Sequence, residues 1–439
     1  MKWIPTAFVF LLLMLVACDL GAEKEATPVV TQIPLLPTPT STLPAEGTAV
    51  TEESTPSVTR GITLTLWTST EIAPNNEVPG GPILLEQLSE FDSEHEDVSL
   101  FVELKTIADQ GGTLSYLRTG RSVAPTMLPD VILLPSSQLA SAAGQELIYP
   151  LDDRLSGDAI DDLYPVARDL VEVDQHIYGY PFALTDLEHL AYSGSAITRT
   201  VSADWTDLVS GPPAMLVYPA AGVSGARLTA QFYAFFGGTF VDEGGQPTLQ
   251  VEPLVSALEL IRVGVAQGFI DPQSGGIASP EQAWQIFQDS PARIVETTAN
   301  YYLGRRAAGP DASLRVAPLP GPSGVLTPTV SAWTWAISTP DAERQALAAE
   351  LLNWLISAPN VGEWCLQSHF VPGRRAAFDV WPTDSYVSFL QRQVSRARPA
   401  LPGLNNTILT ALSDATTAVI LGLSTPGESA AEAVVALQP

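Results

Sequence analysis

The alternation of apolar and polar side chains predicts a parallel α/β unit in the first part of the folded chain. Strands are predicted where apolar residues alternate with polar ones or form a short unbroken run, at 62–66, 98–104 and 131–134. Helical spacing of apolar residues predicts a helix at 84–91, and a second helix can begin near Gly112. Such units bind ligands beyond the carboxyl ends of their strands.

The segment 175–197 has the pattern of an extended stretch that begins in one unit and ends in another. Asp174 and Gln175 lie between β-prone segments as a hairpin turn. Pro181 has no amide hydrogen for a central position in a sheet, and the extended pattern resumes at 187–192. We therefore predict that this segment joins two units and that the rest of the chain is organised around it.

A second α/β unit is predicted after residue 203. Its predicted elements are a short helix capped by Asp204, strands at 215–218 and 292–296, a hairpin at 240–249, and helices at 227–236, 254–265 and 281–288. The alternating run at 330–338 precedes a strong helix. The tail at 385–438 is helical by pattern, with breaks at 404–406 and 425–427.

Length and charge narrow the class of protein. At 439 residues the chain is too long for one ordinary core, and a hydrophobic content of 46% is enough for two. The net charge is −27, from 48 acidic and 21 basic residues. This balance argues against nucleic acid or an anionic lipid surface as the partner.

The sequence contains no motif for metal binding, cofactor binding or covalent catalysis. It has no H-E-x-x-H, C-x-x-C, phosphate-loop or G-x-S-x-G pattern, and its 4 histidines are scattered without ligand spacing. We therefore predict no metal, no cofactor and no enzymatic activity. A glycosidase with a pair of catalytic carboxylates stays open as an alternative, because 48 acidic residues supply many pairs.

The first sixty residues have the pattern of an export signal followed by a tether. Residues 1–17 carry Lys2 and then an apolar run that is too short to span a bilayer. Residues 15–18 read Leu-Val-Ala-Cys and resemble the bacterial lipobox, which implies cleavage before Cys18 and a lipid on its thiol. Residues 18–60 are rich in proline and threonine without apolar periodicity, so we predict a disordered tether.

Several short motifs occur in an order and spacing that are hard to obtain by chance. They are Pro129-Asp130-Val131 followed by Ser136 and Leu151, the Tyr-Gly-Tyr-Pro-Phe-Ala run at 178–183, Asp204-Trp205, Gly237-Gly238-Thr239 with the turn at 242–244, and the Phe-Val-Pro-Gly-Arg run at 370–374. Across 62–438 this set resembles the bacterial extracellular solute-binding proteins of ABC importers, of the family 1 sugar-binding type. Gln175-His176 departs from the glycine-containing turn of that family.

The resemblance implies a two-lobe, type II periplasmic-binding-protein fold of the α/β class, with a ligand cleft between the lobes. The implied division is lobe 1 at 61–183 and 338–370, lobe 2 at 190–329 and 373–439, and three hinge segments near 184–189, 330–337 and 371–372. The implied function is capture of a small solute, a mono- or oligosaccharide, by a monomer that delivers it to ABC permease subunits. The alternative is a surface receptor or adhesin lipoprotein of the same fold without a permease.

A carbohydrate cleft needs aromatic rings for the sugar faces and polar groups for the hydroxyls. Trp67 follows the first predicted strand at its ligand-facing end, and Trp333 is favoured for the cleft over its strand neighbour Trp335. Tryptophans on predicted helices are expected to fill cores. The predicted ligand-binding residues are Trp67, Ser69, Thr70, Glu71, Ser136, Thr185, Asp186, Asn300, Tyr301, Trp333, Trp335 and Arg374.

Overall fold

A computed structural model of the protein describes residues 32–33, 61–106, 112–124, 127–211, 215–290 and 292–438. The predicted signal peptide at 1–17, the predicted lipidation site Cys18 and all of the predicted tether at 18–60 except 32–33 lie outside the described residues. Within the described ranges, no helix combines the length and the apolar character needed to cross a membrane.

Strands and helices alternate along most of the chain. The strands are β1 (Gln32–Ile33), β2 (Ile62–Ser69), β3 (Val98–Lys105), β4 (Val131–Pro135), β5 (Glu172–Val173), β6 (His176–Ile177), β7 (Tyr180–Thr185), β8 (Glu188–Ser193), β9 (Met215–Val217), β10 (Arg293–Thr298), β11 (Leu314–Ala317), β12 (Pro320–Gly321), β13 (Gly324–Val325), β14 (Thr329–Ile337) and β15 (Arg398–Pro399).

The helices follow the same order. They are α1 (Gly81–Glu94), α2 (Thr113–Val123), α3 (Ser136–Gly144), α4 (Gly157–Asp161), α5 (Pro165–Asp169), α6 (Trp205–Val209), α7 (Val223–Phe235), α8 (Val251–Ala266), α9 (Pro280–Gln288), α10 (Ala299–Ala308), α11 (Ala342–Leu355), α12 (Ala358–Ser368), α13 (Ser385–Val394), α14 (Asn406–Ile420) and α15 (Pro426–Ala436). Short 3-10 helices cover Thr70–Ile72, Pro272–Gly276 and Ala376–Val380.

The first sheet has the strand order β1-β3-β2-β4-β14, and β7 and β15 also pair with β14. Strands β2, β3 and β4 are parallel, whereas β14 runs antiparallel to β4 and β7. The residues of β4 from Val131 to Leu134 are fully buried. This explains their unbroken apolar run, because a strand inside a parallel unit is covered on both faces.

The second sheet has the order β11-β8-β10-β9 and is mixed. β9 and β10 are parallel, while β8 is antiparallel to both of its neighbours. Asp204 caps α6 as predicted, since its Oδ1 atom accepts hydrogen bonds from the backbone N–H groups of Thr206 and Asp207. Helices α7, α8, α14 and α15 pack together as part of this second unit.

The chain passes from the first sheet to the second between β7 and β8. Thr185, the last residue of β7, pairs with Ser331, and Glu188, the first residue of β8, pairs with Thr298 of the second sheet. Only Asp186 and Leu187 lie between the two strands. Asp186 has a φ of 63°, in the left-handed region that aspartate tolerates better than most residues.

Strand β14 lies within the first sheet over most of its length. Residues 331–337, predicted as part of a hinge segment, pair with β7 or β4 throughout. Residues 320–325 before it form the β12–β13 hairpin, and Gly321 of that hairpin bridges to Asp204. The chain therefore reaches the first sheet before residue 331.

The chain also stays with the first unit beyond the hinge segment predicted at 371–372. Arg374 Nε lies 3.0 Å from Asp162 Oδ2, and Trp381 Nε1 donates to the carbonyl of Gly362 in α12 at 2.9 Å. These contacts keep residues 373–381 against the first sheet's helices. Strand β15 at 398–399 also pairs with β14 of the first sheet.

The buried apolar residues form two cores rich in aromatic side chains, and the larger, first core includes residues of both sheets. In the first core, Phe182 of β7 stacks on Trp364 with ring centroids 4.2 Å apart. In the second core, Trp205 meets Phe232 edge-on at 5.0 Å. The prediction that helix tryptophans pack in cores is confirmed for Trp205, Trp284 and Trp364, which are 1–3% exposed.

Asp130 joins three elements at the start of β4. Its carboxylate accepts a hydrogen bond from the backbone N–H of Thr65 in β2 at 2.8 Å and another from Arg344 Nε in α11 at 2.7 Å. Asp130 is 1% exposed, so these contacts are largely shielded from water. The buried charge is stabilised only while the guanidinium stays beside it.

We predict that Asp130→Ala lowers the free energy of unfolding by about 3 kcal/mol, because it breaks a buried ion pair and leaves an amide unsatisfied. Urea denaturation at neutral pH measures the change. Asp97→Ala, at an exposed turn position directly before β3, is the control and should change stability by less than about 0.5 kcal/mol. Equal losses in both variants would show that Asp130 has no special role.

Candidate functional site

A cavity of about 690 Å³ lies between the two units. This volume is in the range of small-molecule sites. The first unit contributes the junction of β4 and α3, segment 169–173 and residues 331–333 of β14, and the second unit contributes Arg227 of α7 and the start of α14. Thr185 and Asp186 line it directly from the crossing between the two sheets.

Two helices begin at this cavity. At the start of α3, the Ser136 hydroxyl accepts a hydrogen bond from the backbone N–H of Ala332 at 3.1 Å and so ties α3 to β14. At the start of α14, Asn405 Oδ1 accepts from the N–H of Ile408 at 3.0 Å as an N-cap. The amino-terminal ends of α3 and α14 therefore both lie at the cavity, and these two hydrogen bonds hold them in place.

The charged side chains at the cavity are mostly acidic. Asp186 Oδ1 and Arg227 Nη2 lie 3.0 Å apart, and each side chain is about a quarter exposed (26% and 27%). Glu172 pairs with Arg168 at 3.2 Å, whereas Glu71 and Asp169 are exposed. Carboxylates accept hydrogen bonds from ligand hydroxyl groups, and the guanidinium donates them.

Trp333 is the aromatic residue among the described residues that line the cavity, and its side chain is half-buried. Trp335, two residues later, is 1% exposed and belongs to the first core. The pairing of β7 with β14 shifts register between Trp333 and Thr334. The extra residue of this bulge is Phe182 of β7, whereas β14 pairs in unbroken register with β4. Trp333 and Trp335 therefore lie on one face of β14, and Trp333 reaches the cavity together with its neighbours Ser331 and Ala332.

Some of the predicted ligand-binding residues therefore meet at one place, and others do not. Those at the cavity are Glu71, Ser136, Thr185, Asp186 and Trp333. Those away from it are Trp67, Ser69, Thr70, Asn300, Tyr301, Trp335 and Arg374.

The residues at the end of β2 have local structural contacts. Trp67 is 5% exposed, and Lys105 Nζ from the neighbouring strand lies 4.3 Å from its ring centre. The Ser69 hydroxyl accepts from the N–H of Ile72 and caps the short 3-10 helix. Thr70 is exposed on that helix. Strand β2 extends through Ser69, so Trp67 is covered by β3 and does not emerge at a strand end.

Two of the remaining residues away from the cavity, Tyr301 and Arg374, also have partners in the fold. Asn300 and Tyr301 lie in the first turn of α10, and the Tyr301 ring packs 5.8 Å from Trp284. Arg374 pairs with Asp162. These contacts hold elements of the fold in place.

The cavity also contains residues that the sequence did not single out. They are Asp169, Glu172, Arg227 and the Asn405-Asn406 pair. Asparagines directly before an apolar helix are an N-cap signal, so the sequence could have placed Asn405 at a helix start. No local signal marks Arg227, because only the packing of α7 against β8 brings its guanidinium to the crossing.

Two buried carboxyl groups lie beside the cavity on adjacent strands. Glu188 of β8 and Glu296 of β10 are 6% and 4% exposed, and Gln231 Nε2 donates to Glu188 Oε2 at 2.9 Å. Burial raises the pKa of Glu188 to about 8, Arg227 lowers it and Asp186 raises it. Burial, reinforced by Glu188 and opposed by Arg227, also raises the pKa of Glu296 well above its usual value. Glu188 therefore holds its proton at neutral pH, and burial shifts Glu296 in the same direction, toward its protonated form.

This proton balance predicts a pH dependence of stability. The unfolded chain releases the Glu188 proton near pH 4.5, whereas the folded protein keeps it until about pH 8. The folded state thus binds an extra proton in this window, so the free energy of unfolding contributed by Glu188 falls as pH rises through it. We expect the free energy of unfolding of Glu188→Gln to fall less steeply with rising pH than that of the parent protein, because the glutamine side chain has no proton to release.

Urea denaturation at pH 5, 6.5 and 8 measures this effect as the difference between variant and parent. Glu243→Gln, at an exposed loop position, is the control and should reproduce the parent profile. A Glu188→Gln profile as steep as that of the parent would contradict the buried proton.

The fold and the cavity between its two units define the class of a two-lobed ligand-binding protein. Residues 88–388 match the model of the family described as bacterial extracellular solute-binding proteins. Because the match covers more than half of the chain, the protein belongs to this family, which consists of binding proteins. A comparison with curated protein sequences found no match.

Solved structures share the fold at low sequence identity. The sugar-binding protein MalE of Xanthomonas citri is similar over 85% of this chain and 95% of its own, with a TM-score of 0.67 and 16% identity. The cyclic α-maltosyl-1,6-maltose binding protein of Arthrobacter globiformis is similar over 86% of this chain and 98% of its own, with a TM-score of 0.65 and 15% identity. The GacH receptor of Streptomyces glaucescens has been solved unliganded and with acarbose. It is similar over 86% of this chain and 97% of its own, with a TM-score of 0.60 and 18% identity. The predicted two-lobe type II fold is confirmed.

Proposed function

We propose that this protein captures a small carbohydrate in the cavity between its lobes and delivers it to an ABC importer. The observation that carries the proposal is the cavity of about 690 Å³, where one tryptophan face lies among carboxylates, hydroxyls and a guanidinium. A sugar presents flat apolar faces and a rim of hydroxyls, and this lining is complementary to both. The sugar-binding and acarbose-bound structural neighbours support the same ligand class.

The proposed contacts divide by chemistry. The ring of Trp333 stacks on a sugar face, and the carboxylates of Glu71 and Asp186 accept hydroxyl protons. Ser136 and Thr185 add hydroxyl groups, although the Ser136 oxygen already accepts from Ala332 and retains its proton to donate. A ligand that contacts both lobes stabilises a closed conformation, in which the lobes have rotated toward each other around it. This closed conformation is the one that the permease recognises.

Thermal denaturation with a panel of sugars tests the ligand class. A sugar at about 100 times its dissociation constant should add about 2.7 kcal/mol to the free energy of unfolding. We predict that Trp333→Ala weakens this binding about tenfold or more while leaving the unliganded protein folded, because it removes the aromatic ring that the described residues place at the cavity.

Trp335→Ala provides the contrast, since it empties a core position and should lower the stability of the unliganded protein by about 3–5 kcal/mol. If no sugar stabilises the parent protein, the carbohydrate proposal fails. If a sugar binds but cells lacking the protein take it up normally, the role is that of a surface receptor without a permease.

We also propose that the mature protein is extracytoplasmic and held at the membrane by a lipid on Cys18. The proposal rests on the apolar leader at 1–17 and the Leu-Val-Ala-Cys sequence at 15–18. The predicted tether at 18–60 would separate the lipid from the lobes by up to about 100 Å.

We predict that Cys18→Ala moves the protein from the membrane fraction to the soluble extracellular or periplasmic fraction and abolishes incorporation of labelled fatty acid. Cys365→Ala is the matched control, because Cys365 is the other cysteine of the chain and is fully buried in the first core. Labelling that persists in Cys18→Ala would disprove the anchor at this position.

A further inference from the structure

A second cavity, of about 560 Å³, shares one wall with the first. Residues 399–402 line both cavities. The rest of the second cavity is formed by the last turns of α7, the β12–β13 hairpin with residues 326–327, Thr329 at the start of β14, and Arg398 of β15. Since Thr329 and Arg398 pair in register, the cavity lies where the first sheet meets the second unit. Its volume is again that of a small-molecule site.

The charge of the second cavity is opposite to that of the first. Arg398 is its charged residue among the described lining residues, whereas the first cavity has Glu71, Asp169, Glu172 and Asp186 against one guanidinium. Arg398 is exposed, and its side chain has no hydrogen-bond or ion-pair partner among the residues the structure describes. The guanidinium of Arg398 is therefore free to pair with an external anion, for which its planar fork of N–H donors is suited.

Another part of the lining is apolar and open to solvent. Phe235 is 50% exposed and Val325 is 37% exposed, and both line the cavity with Leu326 and Leu401. Large apolar side chains exposed together at a concave surface indicate a ligand that covers them. Gln231 adds a buried amide to the same lining.

We propose that this cavity is a second binding site, for a small molecule with an apolar body and one carboxylate group. The carboxylate pairs with Arg398, and the apolar body lies against Phe235 and Val325. The acidic first cavity disfavours the same ligand through charge repulsion. The proposal stands on its own lining residues and does not depend on the sugar proposed for the first cavity.

The test is isothermal titration of the purified protein with 4-phenylbutyrate and with its neutral analogue 4-phenylbutanamide. We expect the acid to bind more tightly than the amide. Arg398→Gln should weaken binding of the acid about tenfold or more and leave binding of the amide unchanged, because only the acid forms a charge-assisted pair. The strand pairing should survive, since the Arg398 backbone N–H donates to the carbonyl of Pro328.

Two control variants assign the binding to this cavity. Arg396→Gln removes an exposed guanidinium two residues away that does not line the cavity, and it should leave binding of the acid unchanged. Trp333→Ala alters only the first cavity and should also leave it unchanged. The proposal is overturned if millimolar 4-phenylbutyrate does not bind, if Arg398→Gln binds it like the parent, or if Trp333→Ala abolishes its binding.

Discussion

The backbone leaves one sheet and enters another within two residues, and much of the structure depends on this constraint. β7 ends at Thr185 and β8 begins at Glu188, so Asp186 and Leu187 must make the whole change of direction. A single left-handed residue, Asp186, makes it possible without a longer loop. The short connection fixes the two sheets close together, and the cavity is the space that remains between them.

The same short connection concentrates charge at the crossing. Asp186 faces the cavity, and two residues later Glu188 is already buried beside Glu296. One guanidinium, that of Arg227, is the common counter-charge for these three carboxyl groups. Because burial raises the pKa of both inner carboxyl groups while the one guanidinium only partly opposes it, Glu188 and Glu296 are shifted toward their protonated forms, and Asp186 forms the ion pair with Arg227. The charges that line the cavity at the crossing are therefore those of Asp186 and Arg227.

The segment between β15 and α14 gives the molecule two different surfaces. Residues 399–402 separate an acidic cavity that contains Trp333 from a cavity that contains Arg398 and exposed apolar side chains. This separation follows from the fold, because β15 joins the first sheet and α14 packs in the second unit. Residues 399–402 would therefore contact a ligand bound in either of the two cavities.

The local sequence pattern determined most helices and strands, since periodicities of two and of 3.6 residues depend only on which face of an element is buried. It also indicated that 175–197 joins two units and that Trp333 and Trp335 differ in environment. It could not place Trp67 or Arg374, because their exposure depends on Lys105 and Asp162, which are distant in the chain. The local pattern also could not predict that Arg227 and Asn405 lie at the cavity beside the crossing. A cavity is formed by elements whose mutual position depends on long-range packing, and that position has no local signature in the sequence.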